Sequence, residues 1–395
     1  MKKLQRKCAI CDSQHGEVLH TQKFILPSTS PLPSEYDVVA CDTCSFCFVD
    51  TPVSQAVYDQ YYNDMSKYED TSTATGGSES PFDVDRFENM ATLFANQMKS
   101  KSDSFIDIGC ANGGLLNALK AHQFTSLTGI DIAPKCVENV KSQGHNAYYG
   151  GVFNLENIRG KQYDMICLSH VLEHIRDVKE AAAQLDSICS EGGMIYIEVP
   201  DASRYDQFFI VPYYYFDCEH INHFDKYALA NLFGNMGYEA IYTEEKVLIP
   251  TPNNPYPVLS MIFKKVGAAK GNYTKSAVPA SIQRFVQESK SKFEFKQLSD
   301  VIEAKTPVIV WGAGQYTLRL MASSPLTQCN IIRFVDSDSN KHGNNIQDIL
   351  IQGPVDVLKE YREEPIIITS ALHSEAIKNQ IQSIDNHQNR KLIIL

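Results

Sequence analysis

Residues 105–114 read FIDIGCANGG, and this stretch gives the strongest indication of the fold. Its first four residues form a short, mostly apolar run typical of a strand, and three leucines at helical spacing follow its glycines. Asp131 ends the next apolar run, 22 residues after Gly109. A strand, a glycine turn and a helix, with an acid about 20 residues beyond the turn, are the fingerprint of a nucleotide-binding βαβ unit. We therefore expect Gly109 and Gly113 to let a ligand approach the backbone closely.

The pattern around this unit predicts an α/β fold. From about residue 103 to 265, short apolar runs alternate with helical patterns, and the predicted strands read SFIDI, SLTGIDI, YDMICLS, MIYIEVP and VLSMIFKK. A second alternation follows, with strands that read PVIVWG, NIIRFVD, EEPIIITS and KLIIL. Such alternation indicates mainly parallel sheets covered by helices. We expect a Rossmann-like sheet in the first region and a Rossmann-type unit in the second.

Two CxxC pairs mark the N-terminal part: Cys8 with Cys11, and Cys41 with Cys44. Residues 1–50 hold little periodic apolar sequence, which is typical of a small domain held together by something other than a core. Four thiolates on two turns can surround Zn²⁺ tetrahedrally, and such a site leaves no position for a substrate. The sequence therefore predicts a structural zinc ion on the two pairs, with Cys47 as a spare thiol.

Changes of pattern divide the chain into four predicted segments. They are a zinc-binding domain at residues 1–60, a ligand-binding α/β domain at 61–267, a polar linker at 268–290, and a C-terminal Rossmann-type domain at 291–395 that covers the substrate.

Charge and composition exclude several classes of function. The formal net charge is −11 and no basic surface is evident, which disfavours binding to nucleic acid. No apolar run approaches the roughly 20 residues needed to span a bilayer, and no signal-peptide core follows the basic N-terminus. The eleven cysteines do not form the pattern of a secreted disulfide framework. We expect a cytoplasmic protein, monomeric or homodimeric, with a small-molecule ligand and no membrane partner.

Asp107 separates two classes of nucleotide-binding turn. A carboxylate inside the strand before the turn suits a ligand with a cationic methionine end and no pyrophosphate. The segment resembles the class I methyltransferase motif, in which a hydrophobic strand ends D-x-G-x-G-x-G, with Ala111 in place of the middle glycine. The resemblance implies S-adenosylmethionine as cofactor. It also implies the cofactor contacts: the methionine side on Asp107, Gly109, Cys110 and Gly113, the ribose on Asp131 with Ile132 beside it, and the adenine near Val152 and Phe153.

Candidate catalytic residues follow the fourth and fifth predicted strands. Class I methyltransferases often carry a histidine after the fourth strand, and the match falls on His174, which either faces the ligand or only bonds locally at a helix start. After the fifth strand, Glu219 beside His220 offers a general acid/base pair. His220 and His223 have a metal-like spacing, but one pair without a third ligand is poor evidence for a metal. The aromatic residues 213–216 either stack on a nucleobase or pack in the core.

The combination of motifs resembles one architecture over nearly the whole chain. It is similar to that of the C-methyltransferases that act on nucleotide-linked keto-deoxysugars, in which a small zinc domain precedes the cofactor domain and a Rossmann-type domain encloses the substrate. Their active-site segment reads Y-H-E-H, whereas residues 217–220 read DCEH, so Glu219 and His220 carry over. The resemblance implies that His220 removes the proton α to a carbonyl and that the enolate attacks the sulfonium methyl. Tyr68 is the candidate for the tyrosine that stabilises the enolate.

Three alternatives stay open. A protein of the same build can methylate oxygen or nitrogen of a polysaccharide or small-metabolite precursor. A second glycine turn at residues 311–314, with Asp336 22 residues after Gly314, permits an NAD-dependent sugar-nucleotide oxidoreductase, although Thr317 replaces the third glycine. The third alternative is a zinc-binding module on an inactive core. We expect the second turn to cover a sugar nucleotide.

Overall fold

The computed structural model describes residues 1–26, 30–65, 80–251, 254–267, 271–370, 372–384 and 390–395. Its strands are β1 (Lys2–Lys3), β2 (His15–Lys23), β3 (Glu35–Cys41), β4 (Cys47–Asp50), β5 (Phe105–Ile108), β6 (Leu127–Asp131), β7 (Asn146–Tyr149), β8 (Tyr163–Ser169), β9 (Cys189–Pro200), β10 (Asn222–His223), β11 (Tyr238–Leu248), β12 (Tyr256–Lys265), β13 (Pro307–Trp311), β14 (Asn330–Val335), β15 (Asn345–Ile346), β16 (Ile349–Gln352), β17 (Ile366–Ile368) and β18 (Leu392–Ile394). Its α-helices are α1 (Gln55–Met65), α2 (Pro81–Gln97), α3 (Gly114–Ala121), α4 (Pro134–Ser142), α5 (Val178–Ile188), α6 (Lys226–Gly234), α7 (Val278–Lys292), α8 (Ser299–Glu303), α9 (Gln315–Ser323), α10 (Pro354–Glu360) and α11 (Ser374–Ile384).

A seven-stranded sheet forms the central part of the chain, in the order β11-β12-β9-β8-β5-β6-β7. The strands from β9 to β7 in this order are parallel to their neighbours, whereas β12 and β11 are antiparallel. Side chains alternate between its faces: Ile106 lies in one apolar cluster with Leu185 of α5, and Phe105 lies in another with Phe94 of α2 and Leu116 of α3. Helices cover both faces, so the interior strands are apolar on both sides. The predicted α/β class with a Rossmann-like sheet is confirmed.

An N-terminal sheet has the order β1-β2-β3-β4-β10. Its last strand, β10, comes from the segment after β9 and pairs Asn222 with Phe48. Val38 and Val49 are fully buried in an apolar cluster that also contains Ile221. The expectation that residues 1–50 lack a core is therefore wrong, because these strands share their core with residues distant in sequence.

A third sheet lies in the C-terminal part, in the order β15-β16-β14-β13-β17-β18. All its pairings are parallel except that of β15 with β16. Helix α7 begins at Val278, inside the segment predicted as a polar linker, and its Ile282 and Phe285 are fully buried. Among the helices that the structure describes, none combines the length and apolar character needed to cross a bilayer.

The segment between β9 and β10 is held by all three parts of the chain. Tyr36 of β3 donates a hydrogen bond from its hydroxyl to the carbonyl oxygen of Asp217 at 2.6 Å. The backbone N–H of Tyr213 donates to Ser289 Oγ of α7 at 3.0 Å. Arg319 of α9 donates to the carbonyl oxygen of Phe216 at 2.9 Å. These contacts fix the loop that carries Glu219 and His220.

Candidate active site

The turn between β5 and α3 has glycines where the backbone is left-handed. Gly109 and Gly113 both have a φ of +83°, which side chains rarely allow. A Cβ at Gly109 would also lie 2.5 Å from Val171 Cγ2. Ala111 stands where the middle glycine of the motif is usual, and it has a φ of +43°. The turn therefore keeps a glycine-like conformation at its one departure from the motif.

Asp131 braces this turn from the end of β6. Its Oδ2 accepts a hydrogen bond from the backbone N–H of Ala111 at 2.8 Å, and its Oδ1 accepts one from that of Ala133 at 2.8 Å. These bonds hold the carboxylate in one orientation at the carboxyl end of its strand. Ligands bind at this end in open α/β sheets, where such an acid accepts hydrogen bonds from ribose hydroxyls.

A cavity of about 390 Å³, which we call the central cavity, opens beside the turn. Five of the eight predicted cofactor residues line it: Gly109, Asp131, Ile132, Val152 and Phe153. The structure therefore brings together residues from three separate strand ends. Their chain separation explains why only the glycine turn and Asp131 have a strong sequence signal.

The other three predicted cofactor residues, all of them described, are not among those that line the central cavity. Asp107 is buried in β5, and this burial raises its pKa to about 7. Cys110 packs so closely on Gly129 that a Cβ there would lie 2.7 Å from the Cys110 sulfur. Gly113 is the N-cap residue of α3. These residues support the turn from its protein side.

Arg86 of α2 lines the central cavity, and no sequence motif predicts this position. Its Nη2 donates to Glu198 Oε1 at 2.7 Å and to Ser169 Oγ at 2.5 Å. Glu198 is fully buried, and its Oε2 also lies 2.5 Å from Lys246 Nζ. Burial alone would raise the pKa of Glu198, but the Arg86 and Lys246 cations hold it well below its usual range. A single arginine in a helix gives no sequence signal of this role.

His174, after β8, also lines the central cavity. Its Nδ1 lies 3.1 Å from the carbonyl oxygen of Glu219, a contact that assigns the ring proton to Nδ1. Burial, together with the nearby His220, lowers the pKa of His174. The imidazole is therefore neutral near pH 7. The ring thus borders the cavity, and its Nδ1 contacts a residue of another loop and not the helix start.

His220 contacts His174 edge to face, with ring centroids 4.7 Å apart and an angle of 75° between the rings. The backbone N–H groups of Glu219 and His220 both donate to Asp217 Oδ1, at 2.9 Å and 2.7 Å. Asp217 therefore orders the loop, in the position where the resembling family has a tyrosine. The arrangement brings the two predicted catalytic histidines together.

Glu219 accepts a hydrogen bond from a tyrosine of α1, and this tyrosine is not Tyr68, the residue proposed to stabilise the enolate. The hydroxyl of Tyr61 donates to Glu219 Oε1 at 3.2 Å and lies 3.6 Å from Cys218 Sγ. Tyr68 itself lies outside the described residues. Tyr61 belongs to α1, immediately before that region, and the sequence analysis missed it.

His223 does not share a site with His220. Its ring is fully buried, and burial lowers its pKa to about 3. The ring packs against Phe216 at 5.5 Å, and its Nδ1 lies 3.4 Å from the Tyr205 hydroxyl. Because His223 belongs to β10, its side chain lies in the core. The metal-like spacing of the two histidines therefore does not produce a shared site.

A second cavity of about 700 Å³, the C-terminal cavity, lies between this loop and the C-terminal unit. His220 lines it, as do Tyr214, Tyr256, Arg319 and Asp336. His174 therefore lies in the wall of one cavity and His220 in the wall of the other. The contact between their rings is the junction of the two cavities.

The turn after β13 repeats the geometry of the turn after β5. Asp336 Oδ2 accepts a hydrogen bond from the backbone N–H of Ala313 at 2.8 Å, and Lys341 Nζ lies 3.0 Å from the same oxygen. Thr317, in place of the third glycine, donates its hydroxyl hydrogen to the carbonyl oxygen of Gly312 at 2.8 Å. The departure at Thr317 therefore closes the turn with a side-chain hydrogen bond.

Three side chains in the wall of the C-terminal cavity have buried polar atoms without hydrogen-bond partners among the described residues. They are Arg319 Nε, Tyr316 Oη and Gln315 Oε1. No carboxylate in the described part of the chain forms an ion pair with Arg319. Buried polar groups of this kind are usually satisfied by a ligand or by water.

The four predicted cysteine ligands form one cluster. Their sulfur atoms all lie within 4.8 Å of one another, with 3.5 Å between Cys8 and Cys44 and 3.4 Å between Cys11 and Cys41. Sulfur atoms at about 2.3 Å from one tetrahedral metal ion stand roughly 3.8 Å apart. The residues therefore fit a metal ion, and all four thiols are free of disulfides. Cys47 is buried outside the cluster and contacts the carbonyl oxygen of Ser45.

Two regions of the chain match known protein families. Residues 82–243 match the family described as "Methyltransferase domain". Residues 304–393 match the family described as "C2185-like, N-terminal".

Individual relatives cover only part of the chain. A curated relative is the mitochondrial ubiquinone biosynthesis O-methyltransferase of Dictyostelium discoideum, 28% identical over 107 residues. The match spans 23% of this chain and 33% of that protein, so it covers about a third of the relative's length.

Solved structures that match part of this chain include an S-adenosylmethionine dependent methyltransferase from Mesorhizobium loti. It has 14% identity and a TM-score of 0.37, and the match covers 46% of this chain and 100% of that chain. Magnesium protoporphyrin IX methyltransferase from Synechocystis PCC 6803 has 13% identity and a TM-score of 0.38, and the match covers 54% of this chain and 97% of that chain.

Together with the cavity at the glycine turn, the family match establishes that residues 82–243 are a methyltransferase domain of the S-adenosylmethionine-dependent class.

Proposed function

We propose that this chain transfers a methyl group from S-adenosylmethionine in the central cavity to an acceptor in the C-terminal cavity. The observation that carries the proposal is the contact of His174 with His220, at 4.7 Å between ring centroids, where the walls of the two cavities meet. A methyl donor and an acceptor on either side of this junction can approach in line. Holding two reactants in such a geometry can remove roughly 7–11 kcal/mol of an activation barrier.

The lining of the central cavity supports the orientation of the cofactor. Asp131 accepts hydrogen bonds from the ribose hydroxyls, and Val152 and Phe153 pack on the adenine. Arg86 binds the carboxylate of the methionine end, since its guanidinium reaches the cavity while Glu198 holds it in place. This orientation directs the sulfonium toward His174.

The lining of the C-terminal cavity supports a nucleotide-linked sugar as acceptor. Asp336 at the second glycine turn has the position of a ribose-binding acid. Arg319 is 3% exposed and lacks a carboxylate partner among the described residues, which suits a diphosphate. Tyr214 and Tyr256 offer aromatic surface for the sugar.

We further propose that the methyl acceptor is a carbon next to a carbonyl group of the sugar. The base that removes its proton is located at His220, in the wall of the C-terminal cavity, and Glu219 is the preceding residue in the chain. Tyr61 holds Glu219 in place through its hydrogen bond, and Tyr68 stays the proposed donor to the enolate oxygen. The resulting enolate attacks the methyl group in line with the carbon–sulfur bond.

The ion of the four-cysteine cluster is proposed to be zinc, with a structural role. Four thiolates complete a tetrahedral zinc site and leave no position open for substrate. The cluster joins the turns before β2 and between β3 and β4. Because β4 pairs with β10, the ion stabilises the sheet to which the catalytic loop is attached.

Transfer to oxygen is the second candidate function. The curated relative is named as an O-methyltransferase. The similarity to it does not identify the acceptor of this chain. The two candidates differ in whether a carbon acid is ionised before the transfer.

Exchange of the α-proton separates these candidates. Full-length protein with S-adenosylhomocysteine and a panel of nucleotide-linked 4-ketosugars in D₂O should incorporate deuterium next to the carbonyl, as seen by mass spectrometry. His220→Gln should abolish the exchange, whereas Asp131→Ala should slow methyl transfer chiefly through weaker cofactor binding. A methyl ether as product, formed without exchange in any substrate, would establish transfer to oxygen and overturn the carbon assignment.

A further inference from the structure

Glu173, His174 and His220 bring three metal-ligating side chains together at the junction of the two cavities. One oxygen of the carboxylate and one nitrogen of each ring all lie within 4.8 Å of one another. Glu173 and His174 follow β8, whereas His220 lies in the loop after β9. The two partners of His220 in this group thus come from a different loop, and His223, with which the sequence pairs it, is not among them.

The carboxylate of Glu173 is fully buried, and only one of its oxygens has a partner. Oε1 lies 3.2 Å from Nδ1 of His170, whereas Oε2 has no hydrogen-bond partner among the described residues. A buried carboxylate is costly unless it is hydrogen-bonded, paired or bound to a metal ion. A cation bound by Oε2 would remove this cost.

His174 has the orientation that metal-ligating histidines usually adopt. A ligating histidine commonly donates its second ring N–H to a backbone carbonyl or a carboxylate, which fixes the tautomer. The contact of His174 Nδ1 with the carbonyl oxygen of Glu219, at 3.1 Å, is of this kind. It leaves the lone pair of the ring on Nε2, the nitrogen that can bind a cation.

We propose that Glu173, His174 and His220 bind a divalent first-row transition-metal cation. One carboxylate and two imidazoles are a ligand set that such cations accept, and three protein ligands leave open positions for water and substrate. The site differs in this respect from the four-cysteine cluster, whose thiolates fill every position of the ion.

This inference deepens the proposed function and rests on it, because it identifies the base that stands at His220. Glu173, His174 and His220 would hold the cation, which would lower the pKa of a bound water molecule and so supply a base near neutral pH. That base would take the proton of the acceptor and leave as water. The electron pair left on the acceptor forms the new bond to the methyl carbon. The carbon–sulfur bond breaks with its electrons on sulfur, which gives S-adenosylhomocysteine.

Titration with Mn²⁺ of full-length protein that carries one zinc ion per chain, in the cysteine cluster, followed by electron paramagnetic resonance of the free ion, tests the site. Mn²⁺ is a poor competitor for thiolates, so the cysteine cluster keeps its own ion. We expect the wild type to bind one Mn²⁺ per chain, and Glu173→Gln and His220→Gln each to bind it at least tenfold more weakly. His122→Gln is the matched control, because His122 pairs with Glu88 at the surface at 2.7 Å.

Unchanged Mn²⁺ affinity in His220→Gln, a half-buried position where folding should survive, would overturn the proposal. An equal loss of affinity in His122→Gln would overturn it as well. Binding of S-adenosylhomocysteine to the same samples separates this inference from the proposed function. Wild-type protein that binds S-adenosylhomocysteine but not Mn²⁺ would refute the metal site alone. Protein that binds Mn²⁺ but not S-adenosylhomocysteine would refute the methyl-transfer function and leave the metal site standing.

Discussion

Asp131 and Asp336 make the same pair of backbone hydrogen bonds in two different sheets of one chain. Each Oδ2 accepts from an alanine N–H in a glycine turn, that of Ala111 or Ala313, at 2.8 Å in both cases. Each Oδ1 accepts from the N–H two residues further along, at 2.8 Å for Asp131 and 2.9 Å for Asp336. Each aspartate also lines one of the two cavities. The chain therefore carries two turns of the nucleotide-binding type.

Because the two turns are equivalent, substitution of either aspartate should weaken the ligand of its own cavity and leave the affinity for the other ligand unchanged. Asp131→Ala should weaken S-adenosylhomocysteine at least tenfold, about 1.4 kcal/mol, because the ribose loses its acceptor and the turn loses two hydrogen bonds. Asp336→Ala is the matched control, and it should weaken a nucleoside diphosphate while S-adenosylhomocysteine binds as before. Isothermal titration calorimetry with both ligands measures the four affinities. The reverse pattern would mean that the cavities have been assigned to the wrong ligands.

The pKa of Asp107, raised by burial to about 7, predicts that cofactor affinity depends on pH. Below this pKa the carboxyl group is neutral, and above it the anion, which lies behind the turn and not in the cavity wall, attracts the cationic methionine end through the protein. Affinity for S-adenosylmethionine should therefore rise from about pH 6 to about pH 8 more steeply in the wild type than in Asp107→Asn. Equilibrium binding at constant ionic strength gives the two profiles. Parallel profiles would assign the dependence to another group.

Arg86 is expected to affect both cofactor binding and folding, and a double substitution separates the two effects. Arg86→Met should weaken S-adenosylhomocysteine at least tenfold. It should also lower the free energy of unfolding by up to about 3–5 kcal/mol, because Glu198 stays buried with one cation fewer. Adding Glu198→Gln should restore much of the thermal stability but not the affinity. If both return together, Arg86 supports only the fold.

Cys41→Ser and Cys47→Ser test the four-cysteine cluster as a matched pair, since both thiols are buried in the same sheet. Cys41→Ser should lose bound zinc and melt at a lower temperature, because the thiolate cluster is broken. Cys47→Ser should keep its zinc, since Cys47 lies outside the cluster. Elemental analysis of the purified variants gives the metal content. Full zinc content in Cys41→Ser would refute the assignment.

In the central sheet, the interior strands could be predicted from the sequence, and the two edge strands could not. The pattern YDMICLS coincides with β8, because an interior parallel strand covered on both faces is apolar over most of its length. The strand β11, Tyr238–Leu248, lies at one edge of the central sheet, and most of its side chains are exposed or half-buried. The strand β7, at the other edge, was missed for the same reason. Without burial on both faces, neither has a continuous apolar run.

The residues of the site divide in the same way. Those within one βαβ unit could be predicted from the sequence, and those brought together by long-range pairing could not. The glycine turn and Asp131 lie within one βαβ unit, so their spacing predicts their roles. The junction of His174 with His220 depends on the pairing of β4 with β10, which no local pattern encodes. Arg86 and Arg319 are single basic residues in helices, and only the fold reveals that they face cavities.

A crystal structure of the full-length protein with S-adenosylhomocysteine would show directly whether the cofactor lies in the central cavity. We expect the ribose to contact Asp131 and the sulfur to face the junction, within several ångströms of His174 and directed toward His220. A sulfur atom that points away from both rings, or S-adenosylhomocysteine bound at Asp336 in the C-terminal cavity, would contradict this expectation.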